Sequence, residues 1–91
     1  MARMYNPASP GELLRDFMGE RTVSELAEHI GVARATLSRI LNGRNAVTVD
    51  MSIRLGEALR LSPDFFAKAQ LHYDFWRESQ KKRRKVRPLA A

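Results

Sequence analysis

Two helical segments separated by only three residues constrain the fold of this sequence more than any other feature. Residues 22–30 and 34–42 both carry apolar side chains at helical spacing, and the tripeptide Gly-Val-Ala at 31–33 joins them. A connection this short that contains glycine turns one helix sharply against the next, and we expect Val32 to fill the corner between them. The sequence therefore predicts a helix-turn-helix.

Cap signals place the other helices. The segments "SPGE" at 9–12 and "TVSE" at 22–25 are capping boxes, which mark helix starts. Thr48 predicts the start of a fourth helix, and "SPD" at 62–64 predicts a fifth, with its serine as the cap and its proline at the first position. No stretch alternates with the two-residue period of a strand for long enough to compete. The predicted fold class is all-α, a five-helix bundle.

The predicted organisation is a single domain at 9–79, between a flexible arm at 1–8 and a basic, disordered tail at 80–91. The chain has 91 residues, of which 44% are apolar and 29% charged, as in an ordinary globular domain. It has no apolar run that could span a membrane and no signal segment. We expect a soluble, cytoplasmic protein.

Composition also argues against catalysis. The chain has no cysteine, so it has no thiolate nucleophile, no thiolate metal site and no disulfide framework. It shows no glycine-rich phosphate loop, no paired carboxylates beside a base and no metal-ligand spacing. We predict that the protein is not an enzyme and uses neither a metal nor a cofactor.

The net charge of +6 is distributed unevenly. Six of the 16 basic residues lie in "KKRRKVR" at 81–87, and the other ten are matched by ten acids. Between Glu28 and Asp50 no acid occurs. The basic residues within that interval are Arg34, Arg39 and Arg44. A neutral domain with one locally basic segment predicts a surface that faces a polyanion.

The third helix lies inside this basic interval. Leu37, Ile40 and Leu41 would hold it on the core, so that its opposite face and first turn project outward. Such a helix can enter the major groove of DNA with its N-terminal residues at the base edges, and Arg34 is predicted to pair with guanine through two hydrogen bonds. The predicted DNA-contacting residues are Arg34, Ala35, Thr36, Ser38, Arg39, Arg44 and Asn45.

The segment "TVSELAEHIGVARATLSRILNG" at 22–43 resembles the helix-turn-helix of the Cro/repressor (XRE) family. "PGEL" at 10–13, "VTVDMSIRL" at 47–55 and the "QxxYDxW" pattern at 70–76 are similar to HigA-type antitoxins. The resemblance implies a sequence-specific DNA-binding antitoxin that neutralises a small, basic ribonuclease toxin of the HigB type and represses its own operon.

Three positions depart from the family pattern. Val23 stands where many relatives carry a glutamine that touches phosphate. Ala33 replaces the usual serine or threonine cap of the third helix, at a cost of about 1 kcal/mol. Ala35 occupies a position that often reads bases, and it offers only apolar contact with a thymine methyl group.

Two protein interfaces are also expected. A single reading unit contacts only a few base pairs, so we expect a homodimer on a near-palindromic operator of double-stranded DNA. The fifth helix has more aromatic surface than one side of a small core needs, and the predicted dimer interface consists of Phe65, Phe66, Leu71, Tyr73, Phe75 and Trp76.

The N-terminal helices are acidic and suit a basic toxin, with Glu12, Asp16 and Glu28 as the predicted contacts.

Two alternatives stay open. The protein is a stand-alone XRE-type repressor if it has no toxin partner, and the gene immediately upstream would separate these cases. It is a protein-interaction module if Arg34 and Arg39 face an acidic partner rather than DNA.

The role of the tail is a separate question. The tail is either a solvated end or a set of non-specific phosphate contacts.

Overall fold

The computed structural model describes residues 6–90, within which the chain forms five α-helices and no strand. The helices are α1 (Pro10–Met18), α2 (Val23–Ile30), α3 (Arg34–Leu41), α4 (Val49–Leu59) and α5 (Phe65–Ser79). The predicted all-α, five-helix fold is confirmed. Of the predicted arm, 1–5 lie outside the described residues and 6–8 have no regular secondary structure. No helix within 6–90 has the length and apolarity that crossing a membrane requires.

Three of the helix starts follow the predicted caps. The hydroxyls of Ser9, Thr22 and Thr48 each accept a hydrogen bond, at 3.1 to 3.2 Å, from the backbone N–H three residues further on. In the first capping box the Glu12 carboxylate accepts from the Ser9 hydroxyl at 3.2 Å, where the predicted box would have it accept from the Ser9 backbone. These local hydrogen bonds satisfy N–H groups that a helix start leaves free.

The start of α5 differs from the prediction. Ser62 and Pro63 precede the helix in a turn, and α5 begins only at Phe65. The Phe65 N–H donates to the Ser62 carbonyl at 3.0 Å, a hydrogen bond across three residues rather than four. The proline therefore stands in the turn and not at the first helical position.

Contact with α4 explains this turn. Ser52 is 1% exposed, and its hydroxyl donates to the Pro63 carbonyl at 2.7 Å and accepts from the Ala67 N–H at 2.9 Å. A Cβ at Gly56 would lie 2.7 Å from the Ser62 carbonyl oxygen, so only glycine lets the two segments approach this closely. These contacts direct the backbone at 62–63 onto α4 before α5 begins.

The core is formed by the inward faces of all five helices. Phe66 is fully buried within it, which corrects its prediction as a dimer contact. Its ring packs edge to face with Phe17 and Phe65, at centroid distances of 6.2 and 5.1 Å. Because the first turn of α5 lies against α1, this aromatic cluster completes the core of a single chain and leaves no part of Phe66 for a partner.

Candidate nucleic-acid interface

The corner between α2 and α3 has the predicted geometry. Gly31 ends α2 in the left-handed region, with φ 76° and ψ 37°, where a side chain would be strained. The Val32 N–H donates to the Ala27 carbonyl at 3.0 Å, and the Gly31 N–H donates to the Glu28 carbonyl at 3.3 Å. Val32 is partly buried against the core. The turn therefore fixes the angle at which α3 leaves α2.

The buried side of α3 determines which side chains face outward. Leu37, Ile40 and Leu41 are buried and belong to the core. On the other side of the helix Arg34, Ala35 and Arg39 are exposed, and Thr36 and Ser38 are half-buried. The structure thus brings the helical part of the predicted DNA-contacting set onto one outward surface.

Arg34 has a partner that the sequence alone did not suggest. Its Nε donates to the Ser24 hydroxyl of α2 at 3.0 Å. Both side chains are exposed, and they lie ten residues apart in sequence. Within residues 6–90 the two terminal nitrogens of the guanidinium have no partner, and these can donate side by side to an acceptor pair. The sequence alone does not reveal this hydrogen bond, because it depends on the angle between α2 and α3.

The N-terminus of α3 has no side-chain cap. Ala33 occupies the cap position with extended backbone and accepts no hydrogen bond through its side chain. The Thr36 N–H, which a serine or threonine at 33 would have engaged, donates instead to the Ala33 carbonyl at 3.1 Å, whereas the N–H groups of Arg34 and Ala35 lie at the helix end that can face water or an anion. The helix dipole also favours an anion at this end.

The loop after α3 keeps two further predicted residues beside the helix. The N–H groups of Arg44 and Asn45 both donate to the Arg39 carbonyl, at 2.8 and 3.3 Å. The Val47 N–H donates to the side-chain carbonyl of Gln70 in α5 at 2.9 Å, which ties the end of the loop to the domain. Arg44 and Asn45 are exposed, so the loop extends the outward surface of α3.

The charge of this surface is not neutralised by any acidic group in the described residues. Of the ion pairs found in residues 6–90, none involves Arg34, Arg39 or Arg44. Arg54 contrasts with them: it donates to the Ile30 carbonyl at 2.7 Å and pairs with Asp50 at 2.9 Å, so it has a structural role at the end of α2. We call the exposed, positive face of α3 and residues 43–45 the basic face.

The residues predicted for protein interfaces are placed unequally. Leu71 and Phe75 are 53% and 59% exposed on α5, and Tyr73 and Trp76 are half-buried with ring centroids 6.0 Å apart. Phe65 packs on Phe17 at the core, at 5.4 Å. The predicted toxin contacts Glu12, Asp16 and Glu28 are all exposed.

A five-helix domain that presents a positive helix from a tight, glycine-containing turn has the form of a helix-turn-helix DNA-binding module. Comparison with known proteins agrees with this class. The Helix-turn-helix family model matches residues 13–66. The chain belongs to the XRE-type helix-turn-helix family of DNA-binding regulators, which is not a family of enzymes.

Individual relatives cover most of the chain. Virulence-associated protein A′ of Dichelobacter nodosus is 35% identical over 91 residues, which cover 96% of this chain and 78% of the relative. Antitoxin HigA-1 of Vibrio cholerae is 34% identical over 89 residues, covering 91% and 84%. The structure of the Pseudomonas aeruginosa antitoxin HigA with the higBA promoter superposes with a TM-score of 0.75 at 31% identity, covering 79% of this chain and 82% of that one.

Proposed function

We propose that this protein is a sequence-specific antitoxin, which binds its own operator as a homodimer and neutralises a small, basic ribonuclease toxin. The observation that carries the proposal is the basic face, whose three arginines have no acidic partner within residues 6–90. The similarity of the chain to HigA antitoxins supports the proposed toxin partner. One of these antitoxins was solved with promoter DNA, which supports the proposed binding to an operator.

The basic face reads DNA in two ways. The free terminal nitrogens of Arg34 donate to the O6 and N7 atoms of a guanine in the major groove. The Ala35 methyl group and the Thr36 side chain meet the neighbouring base edges, including thymine methyl groups. Arg39 lies beside Arg34 and Thr36 in this readout. Other residues fix the position of the protein on the DNA by contacting phosphate, and they carry no sequence information; these are Ser38, Arg44 and Asn45.

Binding to the region upstream of its own operon tests this function. Fluorescence anisotropy would compare a duplex from that region with a scrambled duplex of equal length and composition, at about 0.15 M salt. We expect the native duplex to bind more tightly by a factor of about 10³ or more, as specific sites usually do. Equal affinity for the two duplexes would contradict sequence-specific binding and favour a protein-interaction module.

Ser24 is expected to position Arg34 for readout. In Ser24→Ala the guanidinium loses the acceptor that orients it, and preference for the guanine over other bases should fall by roughly three- to tenfold, the size of one hydrogen bond. Ser24→Thr keeps an acceptor and should restore the preference. In an Arg34→Ala background Ser24→Ala should change nothing further, and a persisting effect would show that Ser24 acts on another contact.

The toxin-binding surface is proposed on α1 and α2. Residues 9–30 hold five acids against two arginines. The exposed carboxylates Asp16 and Glu28 take part in no ion pair within the described chain, so their charge is available to a basic partner. Binding there would leave the basic face free, so that the antitoxin can hold toxin and operator together.

Charge reversal tests this surface. The double variant Asp16→Lys/Glu28→Lys should weaken binding of the small basic protein encoded immediately upstream by roughly 10- to 100-fold, chiefly through slower association. Operator affinity should not fall. Surface plasmon resonance would measure both, with Glu57→Lys on α4 as a control for a single reversal of an exposed acid.

Two results would contradict this assignment. Toxin retained by the double variant but lost on removal of the tail would place the toxin surface elsewhere. A wild-type chain that binds the operator but not the upstream protein would instead be a stand-alone repressor.

A further inference from the structure

The end of α5 lies beside the loop of the basic face. A cavity of about 110 Å³ is lined jointly by Arg44 and Asn45 from that loop and by Tyr73, Asp74 and Arg77 from α5. The hydrogen bond between Gln70 and Val47 fixes this arrangement, because it joins α5 to the same loop at 2.9 Å. The C-terminal half of α5 therefore belongs to the same side of the domain as Arg44.

The charges around this cavity favour an anion. Arg44 and Arg77 are both exposed, and the Arg77 guanidinium lies 5.6 Å from the centre of the Tyr73 ring. Asp74 brings one carboxylate to the cavity, where it accepts a hydrogen bond from Gln70 at 2.9 Å. Two positive groups thus face one acid, and the Tyr73 ring supports one of them.

The basic tail leaves α5 at this place. α5 ends at Ser79, two residues and about 3 Å of helix rise beyond Arg77. Residues 81–90 are exposed and have no regular secondary structure. Lys81 and Arg83 lie 2.8 and 3.9 Å from the Glu78 carboxylate, and the hydrogen bond from Lys81 lowers the pKa of Glu78. These exposed ion pairs place the first residues of the tail beside the end of α5.

The rest of the tail carries positive charge that no carboxylate in the described residues pairs with. Within the described part of the chain, four tail residues have no carboxylate within 4 Å, and these are Lys82, Arg84, Lys85 and Arg87. An extended segment of 81–91 reaches about 36 Å, roughly one turn of B-DNA, along which phosphate charges occur every 1.7 Å or so.

We propose that the end of α5 and the basic tail form a second, sequence-independent binding surface for the DNA phosphate backbone, continuous with the basic face. Arg77 and Arg44 hold the phosphates nearest the half-site, and the tail follows the backbone beyond them. This inference rests on the proposed operator binding. In this proposal the tail raises the affinity for DNA and the rate of association, whereas α3 determines the base preference.

The salt dependence of binding tests the proposal, with the full chain and both the operator and the scrambled duplex. Each neutralised phosphate contributes about −0.9 to the slope of log affinity against log salt. Deletion of 81–91 should make the slope shallower by about 2 or more on both duplexes, and Arg84→Gln/Lys85→Gln should make it shallower by about 1 to 2. The ratio of operator to scrambled affinity should stay unchanged.

A matched control separates contact from net charge. Arg60→Gln/Lys68→Gln removes the same two charges from exposed sites that do not line the cavity, and its slope should equal that of the wild type. Equal slopes for the tail and control variants, or a deletion without effect, would overturn the proposal. A wild-type protein with no operator preference would contradict the proposed function instead, and the slopes would still report on the tail.

Discussion

Replacing Arg34 with alanine is expected to weaken operator binding by about 1–3 kcal/mol per half-site, roughly 5- to 150-fold. The variant loses both hydrogen bonds to guanine, and a dimer loses them twice. Discrimination should relax at one base pair in each half-site and stay intact at the others. Anisotropy titrations with the operator, with duplexes changed at single positions and with scrambled DNA would measure the effect.

The fold should not suffer from this substitution. Arg34 is exposed, and its side chain makes one hydrogen bond, to Ser24, within the described residues. The thermal unfolding midpoint should therefore stay close to that of the wild type. Arg60→Ala, at an exposed arginine on the loop after α4, is the matched control and should bind normally. Unchanged affinity of Arg34→Ala for both cognate and scrambled DNA would remove Arg34 from the readout.

Much of the fold could be predicted because its signals are local. The caps Ser9, Thr22 and Thr48 engage N–H groups only three residues away, so a short segment contains the whole interaction. Gly31 has a backbone conformation that glycine adopts without strain. The helix starts and the turn between α2 and α3 can therefore be predicted from a few adjacent residues.

The wrong predictions concern residues whose environment comes from distant parts of the chain. "SPD" has the composition of a helix start, but contact of this segment with Ser52 and Gly56 makes it a turn. Phe66 has the same local signal as the exposed Phe75, and only the packing of α5 on α1 and α4 buries the first and leaves the second outside. The helical periodicity and the composition of the sequence do not show which aromatic side chain is buried.

The candidate site shows the same division. The outward position of Arg34 and Arg39 follows from the helical spacing of Leu37, Ile40 and Leu41, and the structure confirms that position. The partner of Arg34 and the closeness of Arg77 to Arg44 depend on the angles between helices. The DNA contacts themselves stay predictions, which the titrations above are designed to test.

The second large effect is expected at the dimer interface. Leu71 and Phe75 are four residues apart on α5, so they lie on one face of the helix, and both are more than half exposed. Tyr73 and Trp76 are half-buried and lie on other faces of α5, since residues one or two apart in a helix do not face the same way. The exposed aliphatic and aromatic pair of Leu71 and Phe75 is typical of the buried centre of an interface. The interface proposed now is centred on Leu71 and Phe75; Phe65, Tyr73 and Trp76, which are half-buried, stay predicted contacts, and Phe66 is excluded by its burial.

The double variant Leu71→Asp/Phe75→Asp should be monomeric, because pairing would bury four carboxylates against one another. Loss of the dimer removes the linkage between two reading units whose half-sites lie about 34–36 Å apart. Affinity for the full operator should therefore fall by about 10²- to 10⁴-fold. Affinity for a duplex with a single half-site should not change, since each basic face is intact. Sedimentation velocity and anisotropy would measure the two effects.

The chain offers a closely matched control for this variant. Val49 and Ile53 are also four residues apart and are 71% and 42% exposed, but they lie on α4. Val49→Asp/Ile53→Asp should leave the mass and the operator affinity of the dimer unchanged. A wild-type protein that is monomeric at tens of micromolar would still form a two-to-one complex with the operator if α5 pairs only on DNA, because both half-sites must be read together. A one-to-one complex, or equal dissociation by the α4 and α5 variants, would show that Leu71 and Phe75 do not join two copies of this chain.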